Sequence, residues 1–259
     1  MTESELAPTE SAGRFQFKWA PEVLFRPRQA FAKIVAQASG VWLTPLLILT
    51  LMALLRVWAA GYVNQNFAAT GEMPLPPDFQ YYTPEQQAQY MQAIQSTQGP
   101  VFVYVFPALS ALMGIWLGWL LVGGLLHLVM TMLGGRGGTM GAMNLVAWAA
   151  LPFALRDLVR AAALVINRQP INNPGLAGFG PAEASGFAAY LVAWLPIIDL
   201  YLIWHILLMV VGVRAASSLT MSKAIGAALA TVLLVLALLT LVRLLTGQLG
   251  SLTVIRPFF

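Results

Sequence analysis

Five long apolar stretches alternate with polar connections along this chain of 259 residues. The first reads "VWLTPLLILTLMALLRVWAAGY" (41–62), and the others occupy 101–133, 140–166, 187–213 and 224–245. All are rich in Leu, Ala and Val, and all reach the roughly 20 residues that a helix needs to cross a bilayer. Tryptophans flank several of their ends, as interfacial anchors do. The pattern predicts an all-α polytopic membrane protein with five transmembrane helices. As one helix the second stretch would be about 50 Å long against a hydrocarbon core of about 30 Å, so it has to tilt, kink at Pro107 or emerge.

The polar segments carry their own periodicities. In "RPRQAFAKIVAQASG", Phe31, Ile34 and Val35 share one helical face, with Arg28 and Lys33 away from it. This predicts an N-terminal amphipathic helix lying on the cytoplasmic membrane surface. In "TPEQQAQYMQAIQ", Thr83 is an N-cap, Pro84 stands at N1 and Gln86 at N3, the start of a capping box. A small external helix follows over about 81–97, with Tyr90, Met91 and Ile94 as a narrow apolar face. The 167–186 loop is too rich in Gly, Pro and Asn for regular structure. The N-terminus is acidic and polar, unlike a signal peptide. Residues 1–20 read as a disordered cytoplasmic tail, 21–246 as the five-helix membrane domain and 247–259 as a short external tail.

Composition agrees with the pattern. Charged residues make up 9% of the chain, far below the roughly 25% of soluble domains. The basic residues lie beside apolar segments without interleaved aromatics, which suits anionic headgroups and gives no reason to expect nucleic acid. Arg14, Lys18, Arg26, Arg28 and Lys33 precede the first span, Arg136 lies between the second and third, and Arg214 and Lys223 lie between the fourth and fifth. The 61–100 loop holds no Lys or Arg, and the 167–186 loop holds only Arg168. The positive-inside rule therefore places the N-terminus in the cytoplasm and the C-terminus outside. Arg26, Arg28, Lys33, Arg136, Arg214 and Lys223 become the candidate headgroup-facing residues of the cytoplasmic surface.

Catalytic chemistry finds little support. There is no cysteine and there are two histidines, His127 and His205. Thiolate chemistry, Cys-based zinc sites and multi-histidine metal sites are thereby excluded, and no cofactor or metal is expected. Both histidines read as interfacial hydrogen-bonding groups near cytoplasmic span ends. The run "GGRGGTMG" lacks the lysine of a phosphate-binding loop and the spacing of a dinucleotide fingerprint, so it reads as a tight cytoplasmic corner held by Arg136. No nucleophile elbow occurs, and the expected protein is not an enzyme.

Charges inside apolar spans are costly and therefore informative. Arg56 lies in the first span, Arg156, Asp157 and Arg160 toward the outer end of the third, and Asp199 near the middle of the fourth. They are expected to form intramembrane ion pairs, with Arg56 or Arg156 as the partner of Asp199. Small residues recur every four positions at Ser110, Gly114 and Gly118, and again at Gly226 and Ala230. These helix-packing faces are expected to serve chiefly within the chain.

Three segments together carry a resemblance: "LFRPRQAFAKI" before the first span, "LGGRGGTMGAMNLVAWAALP" between the second and third, and "IWHILLMVVGVRAASSLTMSKAI" between the fourth and fifth. Their order resembles the Yip family of Ypt/Rab-interacting membrane proteins, in its prokaryotic branch, over roughly residues 20–245. The resemblance implies a five-helix membrane domain with a cytoplasmic N-terminus and no catalysis. It also implies partners: Rab GTPases and other membrane proteins for eukaryotic relatives, ABC-type export systems for some prokaryotic ones. The reading that follows is an accessory or scaffold protein of a prokaryotic inner membrane, in contact with the lipid bilayer and with ABC transporter subunits, other membrane proteins or a second copy of itself. The alternative is a small transporter or channel with a polar path near Asp199.

Overall fold

The computed structural model describes residues 15–37, 39–70, 79–171, 173–181 and 185–252, with backbone only at 67–70, 94–95 and 243–252. Every regular element among them is helical. The helices are α1 (Trp19–Phe25), α2 (Pro27–Val35), α3 (Leu43–Thr70), α4 (Pro84–Thr97), α5 (Phe106–Met132), α6 (Thr139–Ala149), α7 (Leu151–Asn167), α8 (Gly186–Val192), α9 (Leu200–Ala216) and α10 (Met221–Leu252). Among the described residues, three stretches are long and apolar enough to cross a membrane: Leu43–Asn66, Val101–Met132 and Met221–Val242. Leu200–Ala216 is apolar but shorter.

The chain divides into two compact units. The first combines Met1–Leu47, Trp119–Leu151 and Ile203–Phe259. Here α1 and α2 pack on each other and on α6. Val23, Phe31, Ile34, Leu145, Trp148, Met209 and Val213 are fully buried, each large aliphatic or aromatic side chain contributing about 1.5–3 kcal/mol by leaving water. The second unit combines Ile48–Gly118 and Pro152–Leu202. Its buried seam joins Ala59 and Val63 of α3 to Ala161 and Leu164 of α7, pairs spaced for one helical face on each side. The capping box forms as its sequence requires: Thr83 N–H donates to Gln86 Oε1 (3.0 Å) and Gln86 N–H to Thr83 Oγ1 (3.3 Å). Tyr90 packs on the rings of Phe79 and Tyr82, while Met91 is exposed and the side chain of Ile94 lies outside the described residues.

Several elements depart from expectation. Residues 1–14 lie outside the described residues, but 15–20 are ordered: Gln16 N–H donates to Thr44 Oγ1 (3.0 Å), and Trp19 packs on Trp148. Within the segment expected to lie on the membrane surface, Pro27–Val35 is helical, and Phe31 and Ile34 are covered by protein, at 0% exposed. Residues 101–105 form a π-helical turn that passes directly into α5 at Phe106, one residue before Pro107, whose missing N–H removes one bond from the ladder. The third apolar stretch is broken between α6 and α7, just before Pro152. The fourth is broken over 193–199, between α8 and α9. At the C-terminus α10 runs on to Leu252, so 247–252 are helical.

Loop 174–180 lies against the break at 193–199. Leu176 N–H is shared between the carbonyls of Leu195 (2.9 Å) and Ile198 (3.2 Å). Gly175 makes this approach possible: its φ is +61°, and a Cβ there would stand 2.7 Å from the Ile198 oxygen. Irregular backbone in an apolar setting needs protein partners for its polar groups, and this loop supplies one.

Candidate functional site

Four charged side chains of the second unit project from two helices. Arg156 and Arg160 are one turn apart on α7 and share a face, whereas Asp157 is rotated away toward α3. Arg56 Nε on α3 lies 3.1 Å from Asp157 Oδ1. Asp199, the fifth member, precedes α9 and acts twice. Its Oδ1 accepts the Leu202 N–H (2.9 Å), an N-cap bond. Its Oδ2 accepts from Arg160 Nη2 (3.3 Å) and lies 3.5 Å from Arg156 Nη1. The structure thus places Arg156 and Arg160 beside Asp199, and gives Arg56 to Asp157. The Arg156 guanidinium also lies 4.6 Å from the Phe153 ring centroid, a cation–π distance. Asp199 is not in the middle of a helix but at the start of one.

The first unit gathers the three segments that carry the family resemblance. Asn144 and Trp148, one turn apart on α6, hold both backbone groups of Val41: the Val41 N–H donates to Asn144 Oδ1 (2.9 Å), and Trp148 Nε1–H donates to the Val41 carbonyl (3.0 Å). Asn144 Nδ2 reaches the Ser39 carbonyl (3.1 Å). Gly212 on α9 lies so close to α6 and α2 that a Cβ would stand 2.6 Å from Leu145 Cγ and 3.1 Å from Phe31 Cε1. His205 is buried, its Nδ1 2.8 Å from the Ala149 carbonyl at the α6–α7 break. A carbonyl only accepts, so this nitrogen carries the proton. The glycine corner packs on the α9–α10 turn: a Cβ at Gly137 would stand 3.1 Å from the Ala216 oxygen, and Lys223 Nζ donates to the Leu133 carbonyl at the end of α5 (2.9 Å).

On the surface of this unit Arg26, Arg28, Arg136 and Arg214 are exposed. Arg214 Nη1 approaches Met221 Sδ (3.6 Å), and Lys33 pairs with Glu22 (2.7 Å). The sequence singled out these basic residues but not Asn144, a polar side chain inside an otherwise apolar segment. That contrast was the signal available for it.

The Yip1 domain family matches residues 22–242. The chain belongs to the Yip1 domain family. No curated protein and no solved structure matches it. The three segments expected from the resemblance all fall within the matched range, and the buried contacts above show what each contributes to one Yip1 unit.

The small residues expected to pack within this Yip1 chain do not do so at most positions. A Cβ at Gly114, Gly118 or Gly226 would meet no other described residue within 4 Å, Ser110 is exposed, and Ala230 is half-buried. Close approaches occur instead at Gly61, beneath the Tyr104 ring, and at Gly123, against Met143. Spacing by four identifies a smooth helix face but not what meets it. His127 is half-buried, and its Nδ1 has no partner among the described residues, whereas His205 is buried and bonded to the Ala149 carbonyl. No three His, Asp or Glu side chains among the described residues converge to hold a metal.

Proposed function

We infer that this Yip1 protein is a non-enzymatic scaffold or accessory subunit of a prokaryotic inner membrane. It crosses the bilayer five times, with its N-terminus in the cytoplasm and its C-terminus outside. The third crossing is 140–166 and the fourth 187–213. Its partners are other membrane proteins, ABC-type exporter subunits or trafficking machinery among them, or a second copy of the chain.

The observation that carries this reading is the helix Val101–Met132. None of its most apolar 18-residue window is buried within the chain, and Ser110, Gly114 and Gly118 leave one side of it smooth. Such a helix is available to lipid and to other helices. The transporter alternative depends on Asp199, but both of its carboxylate oxygens are already engaged, one by the Leu202 N–H and one by arginine.

Purification in mild detergent followed by mass spectrometry tests the role. Stoichiometric recovery of transporter or other membrane subunits is expected, and a strictly monomeric, partnerless protein refutes it. Single cysteines at Ser96 and Ser218 test the topology without a background thiol, since the chain has none. Both positions are exposed. They are expected to label from opposite sides, and labelling from the same side refutes five crossings.

A further inference from the structure

The ion-pair cluster of the second unit does not neutralise itself. Three arginines, Arg56, Arg156 and Arg160, face two carboxylates, Asp157 and Asp199. One positive charge is left over. The distribution of exposure is also uneven. The arginine side chains are 35%, 21% and 26% exposed, while the carboxylates are 13% and 11% exposed. The cluster therefore leaves its arginine side chains partly exposed and keeps its carboxylates covered. Its donors are in surplus as well. Asp199 Oδ1 is taken by the backbone of α9 and Oδ2 is shared by two arginines. Arg156 Nε is buried without a hydrogen-bond partner among the described residues, and Arg56 Nε, although near Asp157, lacks hydrogen-bond geometry. A net cation beside apolar surface is costly unless an anion completes it.

We propose that Arg56, Arg156 and Arg160 hold the phosphodiester of an anionic lipid headgroup. A phosphodiester carries one negative charge, equal to the excess of the cluster, and its oxygens match the planar fork of arginine. A lipid is the source because the same helices provide room for its chains. Leu55 and Trp58 on α3 and Leu158 on α7 are exposed beside the charged residues, and Trp58 stacks on the exposed Tyr62, an aromatic pair of the kind found at headgroup level. The carboxylates are then the scaffold that aims the arginines, Asp157 for Arg56 and Asp199 for the other two.

The full-length protein is purified, delipidated and examined by native mass spectrometry in micelles. Phosphatidylglycerol, phosphatidylcholine or inorganic phosphate is added in turn. The expected result is a one-to-one phosphatidylglycerol adduct, favoured over phosphatidylcholine by about tenfold or more, because the two share the phosphodiester but the quaternary ammonium of choline is repelled by the net cation of the cluster. Arg56→Lys, which keeps the charge but removes the fork, weakens the adduct several-fold, and Arg156→Gln/Arg160→Gln removes it. Equal retention of both lipids by the wild-type protein overturns the proposal without recourse to any variant. Retention of inorganic phosphate with no lipid preference overturns the lipid assignment in favour of a soluble phosphate. Loss of the adduct in Arg26→Gln/Arg28→Gln together with its survival in Arg156→Gln/Arg160→Gln moves the lipid to the other basic surface and overturns it too.

Discussion

The clamp on Val41 makes a quantitative prediction. Val41 is 3% exposed, and its two backbone groups are held by Asn144 (1% exposed) and Trp148 (0% exposed). Asn144→Ala leaves the Val41 N–H without an acceptor in a buried site, a loss of about 1–3 kcal/mol. The Ser39 carbonyl, also released, belongs to an exposed residue and turns to water, so it adds little. Trp148→Phe keeps most of the ring packed against Trp19 but removes the donor to the Val41 carbonyl, at about 1 kcal/mol. The two effects are not independent. Once segment 39–41 peels from α6, both groups reach water together, so the double variant costs less than the sum by about 0.5 kcal/mol or more. Hydrogen exchange read on a peptide containing Val41 reports this directly. Its protection falls about 5- to 150-fold in Asn144→Ala, the factor corresponding to 1–3 kcal/mol. Unfolding of the micelle-bound protein in denaturant gives the double-mutant cycle. Unchanged protection at Val41 in the double variant, or strict additivity, refutes the clamp.

Two further substitutions separate contacts that matter from positions that merely look alike. Gly212→Ala drives a Cβ into Leu145 and Phe31 and lowers the thermal midpoint by an overpacking cost of about 1–3 kcal/mol, while Gly226→Ala, facing nothing within 4 Å, leaves it equal or higher; the reverse order refutes the packing described. Arg56→Leu strands Asp157, whose side chain is 13% exposed, and destabilises by about 3 kcal/mol, at the low end for a buried pair because Arg56 is 35% exposed. Arg56→Leu/Asp157→Leu recovers much of that loss in the same denaturation assay, and a double variant no better than the single contradicts the pairing.

What the sequence made legible followed periodicity and capping. The helical class, the long apolar helices beginning near residues 43, 101 and 221, and the capping box at Thr83 and Gln86 rest on local signals that the structure keeps. The family was legible from three segments that proved to be packed together in one unit. Partner assignment was less so. Periodicity put Phe31 and Ile34 on one face, but whether that face meets lipid or α6 is decided by tertiary packing. The same holds for glycines: Gly114 and Gly212 look alike in sequence, and only the fold shows that one is open and the other pressed against Leu145.

The instructive case is the fourth apolar stretch. Hydropathy treats "FAAYLVAWLPIIDLYLIWHILLMVVGV" as continuous, because Pro196 and Asp199 are only two breaks in a run of Leu, Ile and Val. Read as punctuation, the same residues are a helix stop followed by an N-cap. The structure follows the punctuation: α8 ends at Val192, 193–199 are irregular, and α9 begins at Leu200 under the Asp199 cap. This changes the chemistry expected of Asp199. A carboxylate in mid-helix has only other side chains to neutralise it, which invites a proton-coupling role. A carboxylate at a helix start has the positive end of that helix as a partner. With its first oxygen satisfied by backbone, it can hold two arginines on the second. Arg56 pairs with Asp157 instead, so that two carboxylates answer three arginines. The broken helix is therefore the reason that Asp199 can cap α9 with one oxygen and face two arginines with the other.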